Sequence, residues 1–174
     1  EFNHGTQQTR AVGEARWRSQ FISDAGLVMT PFARVRSDIT VTENLPDSTD
    51  DNDTVSRILP SAGFDMRYPL MANYAFGQSI ISPVFQIISA SDEKDTNNIG
   101  NEDAITLNFD HSSLFLEDRF TGMDRFEGGT RANVGLTYTF LGDNGGFARA
   151  SMGESFHIAG KNSFVSGSGL EGSQ

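Results

Sequence analysis

Six stretches of this chain alternate apolar and polar residues with a period of two, and the connections between them alternate in length, short then long, along the whole sequence. A period of two gives a stretch two unlike faces and makes it a strand. The plainest case is RANVGLTYTF, residues 131–140. There Ala132, Val134, Leu136, Tyr138 and Phe140 share one face, and Arg131, Asn133, Gly135, Thr137 and Thr139 share the other. The periodicity predicts strands near 10–22, 27–41, 57–70, 77–90, 129–141 and 146–158. Short connections are SDAG (23–26), MANYAF (71–76) and GDNG (142–145), all rich in turn-forming residues. Long ones are 42–56, 90–128 and 159–174.

Nothing in a soluble sandwich ties loop length to strand parity, whereas an outer-membrane barrel has short turns at one end and long loops at the other. The expected strands run a dozen residues or more, past the modal five or six. They are long enough for the roughly 9 to 11 tilted residues that cross a bilayer. The chain has no run of about 20 apolar residues for a spanning helix, but a barrel needs none, because each strand hides its apolar residues among polar ones. The expected fold is therefore all-β: a segment of an antiparallel transmembrane β-barrel, seen as an open curved sheet of about six to seven strands. A chain that opens on Glu and closes in VSGSGLEGSQ reads as a piece of something longer.

A charge on a lipid-facing row costs about 2 to 4 kcal/mol near the bilayer midplane, so such a row should be almost free of charge. The expected lipid-facing residues are Trp17, Phe21, Val35, Phe64, Tyr68, Phe85, Val134, Leu136, Tyr138 and Phe140. Across these faces a single ionisable residue intrudes, Glu154. It is expected where its strand leaves the hydrocarbon, or at a bulge formed by Gly153. The opposite faces carry the charge, and the chain uses eleven Arg against two Lys. Crowded carboxylate pairing favours the planar Arg fork; an Arg-rich codon bias would give the same count. Glu14, Arg16, Arg18, Arg34, Arg36, Asp38, Asp65, Arg67, Arg131 and Arg149 are expected to line the lumen as an ionic lattice. Pro31, Pro69 and Pro83 are awkward inside strands and are expected at strand ends or bulges.

Several chemistries are disfavoured. A net charge of -10 argues against nucleic acid, and without cysteine there is neither a disulfide nor a thiolate metal site. GSGLEG (167–172) matches a dinucleotide motif, but no strand leads in and no helix pattern follows. DSTDDNDT (47–54) is acidic without EF-hand spacing and reads as a solvated loop, which could hold divalent cations that bridge lipid phosphates. His4, His111 and His157 have no partnered nucleophile or second histidine at ligand spacing. Neither an enzyme nor a cofactor is expected.

The densest local signal is LFLEDRFTGMDRFEGGTRANVGLTY (114–138), in which Asp118-Arg119 and Asp124-Arg125 repeat a charge pair around Gly122. Together with RILPSAGFDMRYPL, ISPVFQIISAS, NIGNEDA and FARASMGESFHIAGKNSF, it resembles the barrel domain of the LPS-assembly protein family, LptD, also called organic solvent tolerance protein. The likeness runs over most of the chain and is densest from Arg57 to Phe164. Glu154 departs from it, standing where the family usually carries Gln.

The resemblance implies a large outer-membrane barrel that releases lipopolysaccharide into the outer leaflet through a seam between its first and last strands. It also implies a plug lipoprotein (LptE-like) and a periplasmic bridge protein met through a preceding jelly-roll domain. By the same resemblance this chain is a central piece of the wall, without the seam. Asp118, Arg119, Gly122, Asp124 and Arg125 then belong to a loop turning inward over the lumen or against the plug. Two other readings remain: a soluble secreted β-sandwich or adhesin module binding sugar or calcium, which would need no detergent, and a fragment of another porin-like barrel.

Overall fold

The structure, a computed structural model, describes residues 7–43, 52–92, 111–160 and 162. These residues form one antiparallel sheet of eight strands. In chain order the strands are β1 (Gln7–Arg18), β2 (Phe21–Ile22), β3 (Val28–Glu43), β4 (Asn52–Arg67), β5 (Leu70–Tyr74), β6 (Gly77–Ala90), β7 (Gly129–Gly142) and β8 (Phe147–Ala159). A single helical turn, α1 (His111–Leu114), stands between β6 and β7. The sheet runs β1-β3-β4-β6-β7-β8, with β2 beside β3 and β5 beside β6, so each strand path pairs with the next and the two edges remain open.

Eight strands trace only six paths, and proline is the reason. β1 and β2 hold one register against β3, with Arg18 opposite Phe32 and Phe21 opposite Met29. The gap falls at Ser19, which donates to the Pro31 carbonyl at 3.2 Å but receives nothing back, because Pro31 has no N–H. β4 and β5 likewise hold one register on β6, with Arg67 opposite Val84 and Leu70 opposite Ile81. Tyr68 donates to the Pro83 carbonyl at 3.2 Å, while Pro83 and Pro69 both lack the returning donor. The three prolines nick continuous ladders; they do not mark bulges or strand ends.

Several strands outrun the periodicity. β4 begins at Asn52, inside the expected loop 42–56, and the short connection expected over 71–76 shrinks to Ala75 and Phe76 because β5 extends to Tyr74. No bulge occurs at Gly153, which pairs with Gly135 in regular register. The irregularity lies four residues on, where Thr130 faces Ala159 and Arg131 faces His157. Glu154 is thus held on the apolar face, opposite Val134 and between Met152 and Phe156 in its row. That is further inside the row than its expected place at the strand's exit.

Register sorts the side chains onto two faces. The apolar face holds Trp17, Phe21, Val35, Phe64, Phe85, Val134, Leu136, Tyr138 and Phe140, and Tyr68 joins Met66, Pro83 and Phe85 along a groove on the same side. No second layer among the described residues covers this face: Trp17 is 57% exposed, and Ile58 and Met152 are each 68% exposed. A soluble sandwich would bury these rows. On β7 the apolar row runs from Ala132 to Phe140, about 27 Å at about 3.4 Å per residue. That is the scale of the roughly 25 Å apolar band of outer-membrane barrels. Near the short-turn end Tyr74 stacks on Phe76 with centroids 5.6 Å apart, and Phe76 meets Phe140 at 6.0 Å. At the long-loop end hydroxyls take over, with Ser89 and Thr130 hydrogen-bonded at 2.9 Å.

Candidate functional site

The other face of the sheet carries the chain's buried charge, and residues 111–128 fold back across it. A guanidinium removed from water costs several kcal/mol unless its donors are met, and the face is arranged accordingly. Asp38 of β3 lies between two arginines, accepting from Arg57 at 2.7 and 3.0 Å and from Arg36 at 3.2 Å. Arg36 and Asp38 are almost fully buried. Glu14 of β1 pairs with Arg16 and with Arg34, the latter at 2.6 Å. Arg18 donates from Nη2 to Glu117 at 3.0 Å and to Asp65 at 3.5 Å.

The loop is fastened to every strand path. Arg10 on β1 pairs with Asp124, and Arg36 on β3 donates to the Met123 carbonyl. Arg57 on β4 reaches the carbonyls of Met123 at 3.1 Å and Asp124 at 3.0 Å. Gln86 on β6 donates to the Phe115 carbonyl at 2.9 Å, and Asn133 on β7 to the Leu114 carbonyl at 3.0 Å and to Gln86 at 2.7 Å. Arg131, also on β7, donates to the carbonyls of Leu116 at 2.6 Å and Glu117 at 3.1 Å. From the loop itself, Arg119 reaches Ser155 Oγ on β8 at 3.3 Å. Glu127 sits between Arg119 and Arg131, 2.9 Å from the latter.

Apolar anchors complete the cover. Phe126, 1% exposed, lies over the guanidiniums of Arg34 at 5.6 Å and Arg36 at 5.9 Å, a cation–π arrangement. Leu114 and Phe115 settle over Gly153 and Gly135, where any side chain would collide with them. Asp118 accepts from the N–H groups of Phe120 at 3.1 Å and Glu127 at 3.3 Å, closing the neck of the loop. Burial raises its pKa above the ordinary carboxylate value, against the lowering effect of those bonds and of Arg34.

Of the expected lattice, Glu14, Arg16, Arg18, Arg34, Arg36, Asp38, Asp65 and Arg131 are drawn into this network. Arg67 and Arg149 lie on the same face by register but are exposed and make no ion pair among the described residues. In the family-motif loop, Asp118, Arg119 and Asp124 are engaged, while Gly122 is an exposed turn residue at φ 77°. Arg125 is half-buried without an ion pair among the described residues. Arg10, Arg57, Glu117, Phe126 and Glu127 were not expected in the lattice. Arg10 and Arg57 stand in phase with the polar rows of 10–22 and 57–70, a signal that could have found them. Among the described residues His157 bonds the Gly160 carbonyl, at 3.1 Å. His4, NIGNEDA, GSGLEG and most of DSTDDNDT lie outside the described residues.

A one-layer antiparallel sheet with an open apolar face, and an ion-paired face covered by its own loop, is a segment of a membrane-spanning β-barrel wall. The model of the LptD family, LPS transport system D, matches residues 1–174, and the chain belongs to that family. It is 31% identical over 156 residues to the LPS-assembly protein LptD of Hahella chejuensis (strain KCTC 2396). That alignment covers 82% of this chain and 19% of the relative, so the chain spans about a fifth of the relative's length. Membership agrees with the resemblance carried by LFLEDRFTGMDRFEGG and excludes an unrelated porin.

Proposed function

We propose that the chain forms part of the wall of the outer-membrane translocon that inserts lipopolysaccharide into the outer leaflet of the Gram-negative outer membrane. The supporting observation is the sidedness of the sheet. Apolar side chains stand uncovered on one face and ion pairs fill the other, as a bilayer outside and a polar lumen inside require. Such a wall does no bond chemistry. It supplies a hydrogen-bonded partition along which an amphiphile keeps its head on the polar side and its acyl chains near lipid.

The ionic residues then line the lumen, and residues 111–128 fold inward over it, offering a surface to an LptE-like plug lipoprotein. The open edges at β1 and β8 pair with neighbouring strands of the complete barrel, since unpaired edges invite association with other strands. The periplasmic bridge protein is met by the jelly-roll domain of the full-length protein.

Site-specific photocrosslinkers in the full-length protein test this reading. A probe at Thr139, on the ionic face, is expected to capture lipopolysaccharide in cells that are actively transporting it, and one at Val134 to capture bulk phospholipid. Equal capture of lipopolysaccharide at both would refute the sidedness.

A further inference from the structure

At the short-turn end the hairpins do not stop level. Pairing of β3 with β4 ends where Val28 faces Arg67, and the chain between β2 and β3 closes at once, the Ser23 N–H donating to the Leu27 carbonyl and the Gly26 N–H to the Ser23 carbonyl, both at 2.9 Å. The β4–β5 path runs on to Tyr74. Among the described residues β5 pairs with β6 alone, and all five of its residues are exposed. Strand stagger steps the hairpins of any barrel, but the neighbouring pair shows no step, with Gly77 directly opposite Gly142. The notch beside β5 is a local feature.

The ladder fixes which backbone groups face that notch. Tyr68 donates to the Pro83 carbonyl of β6, and hydrogen-bonding direction alternates along an antiparallel strand. Leu70, Ala72 and Tyr74 therefore turn their N–H and C=O groups toward β6, while Met71 and Asn73 turn theirs to the open edge. No backbone partner meets those four groups among the described residues. Register sets Leu70 and Ala72 beside Ile81 and Ser79, which face Tyr138 and Phe140 of the apolar row. The open edge thus borders the apolar face, where water is scarce and backbone groups need protein partners. An acyl chain offers none.

Next to this edge lies an apolar groove of about 450 Å³, walled by Ala25 and Leu27 of the β2–β3 turn and by Met66, Tyr68, Pro83 and Phe85 of the sheet. An open edge joined to an apolar groove is what strand addition uses: main-chain bonds hold the incoming segment, and pockets take its alternate side chains.

We propose that the open edge of β5 receives one further strand, an extended segment of the same full-length polypeptide from outside these 174 residues, with alternate apolar side chains seated in the groove. The chain spans about a fifth of its relative's length, which leaves ample polypeptide to supply the segment, and a tethered strand pairs at high effective concentration. The proposal rests on the wall reading above. Phospholipid capture at Val134 reports on that reading alone, so the two can fail separately.

The test uses the full-length protein in its native membrane with its native partners, carrying a photocrosslinker at Met71, whose side chain is 63% exposed. Peptide mapping is expected to find one captured segment of the same polypeptide, outside these residues, in a product no heavier than the single chain. Asn73→Pro removes an N–H that faces the open edge and spares the β6 ladder. It should lower that capture about tenfold, the scale of one lost main-chain hydrogen bond.

Amide exchange in the unmodified protein decides the matter if the variant does not assemble. The Met71 and Asn73 amides should be protected to within about tenfold of Ala72, which bonds β6; exchange at least about a hundredfold faster than Ala72 overturns the proposal. Capture of a separate protein, of a second copy, of lipid alone or of nothing overturns it too, as does undiminished capture in the Asn73→Pro variant.

Discussion

A Cβ built on Gly135 would stand 2.7 Å from Cζ of Phe115, so the loop's aromatic ring occupies the place a side chain on β7 would take. The same device recurs at Gly153 under Leu114, at 2.5 Å, and at Gly63 under Phe32. The three differ in what must yield. At Gly63 the added carbon also meets the Ile87 carbonyl oxygen at 2.7 Å, and backbone in a ladder cannot move aside. Gly63→Ala should therefore cost about 1 to 3 kcal/mol as overpacking. Gly153→Ala displaces the flexible end of a Leu and meets the Val134 carbonyl oxygen only at 3.0 Å, and it regains about 0.4 to 1 kcal/mol from the stiffer unfolded chain, so it should cost the least of the three. Gly135→Ala falls between. Denaturant unfolding of the three variants in lipid checks the order.

Asp38 is shared by Arg36 and Arg57, all three being buried. Asp38→Ala takes the carboxylate from two buried guanidiniums and leaves them their carbonyl acceptors on the loop, a loss of about 3 to 5 kcal/mol for breaking a buried pair. Replacing Arg16, which is mostly exposed, should change stability by about 1 kcal/mol or less. Unfolding midpoints of the two variants, compared in the same bilayer, test the contrast.

The two faces of the sheet were legible because strand geometry converts a period of two directly into sidedness. Nothing comparable announces which polar residues meet. Asn133 and Gln86 are 47 residues apart and touch because β6 and β7 pair in one particular register. Phe32 and Phe126 are buried on the charged face, a placement hydropathy alone would reject, since Phe32 lies under the Arg18 guanidinium at 5.3 Å and Phe126 against those of Arg34 and Arg36, contacts that only strand register and the folded-back loop create. The prolines misled for a related reason: a missing donor interrupts a ladder without shifting its register, and local sequence does not distinguish a nick from a bulge. The loop's docking was implied only by the family motif, because its contacts reach every strand path.

The Asp118 carboxyl gives the loop a pH response whose sign is fixed. Its folded-state pKa lies above the ordinary 3.8, so the docked loop binds the proton more tightly than the undocked one. Docking is thus most favourable below that ordinary value and weakens as pH rises from there through the raised pKa, levelling off above it. Asp118→Asn keeps an oxygen that can accept from Phe120 and Glu127 while removing the titration. Protection of those two amides against hydrogen exchange, corrected for intrinsic rates, should fall with pH across that window in the unmodified protein and stay flat in the variant.

Val134 and Thr137 lie on the same strand but face opposite ways. Val134→Arg should destabilise the bilayer-embedded barrel by about 2 to 4 kcal/mol if that row meets hydrocarbon near its middle. Thr137→Arg, on the polar side, should be tolerated within about 0.5 kcal/mol. A comparable loss at both positions would mean that the two faces share one environment.

Glu154 carries the sharpest form of the same question, since register sets it beside Val134 with Met152 and Phe156 on either side of it in the apolar row. An ionised carboxylate in that row is less costly than Arg or Lys but still unfavourable in hydrocarbon. Glu154→Gln should therefore raise stability in bilayers and increase it more in thick membranes than in thin ones, because a thin hydrocarbon layer already lets the carboxylate reach the interface. In urea without lipid the two forms should behave alike. If the substitution gave no gain at any bilayer thickness, β8 would not present that row to lipid, and its neighbour in the complete barrel would have to cover Glu154.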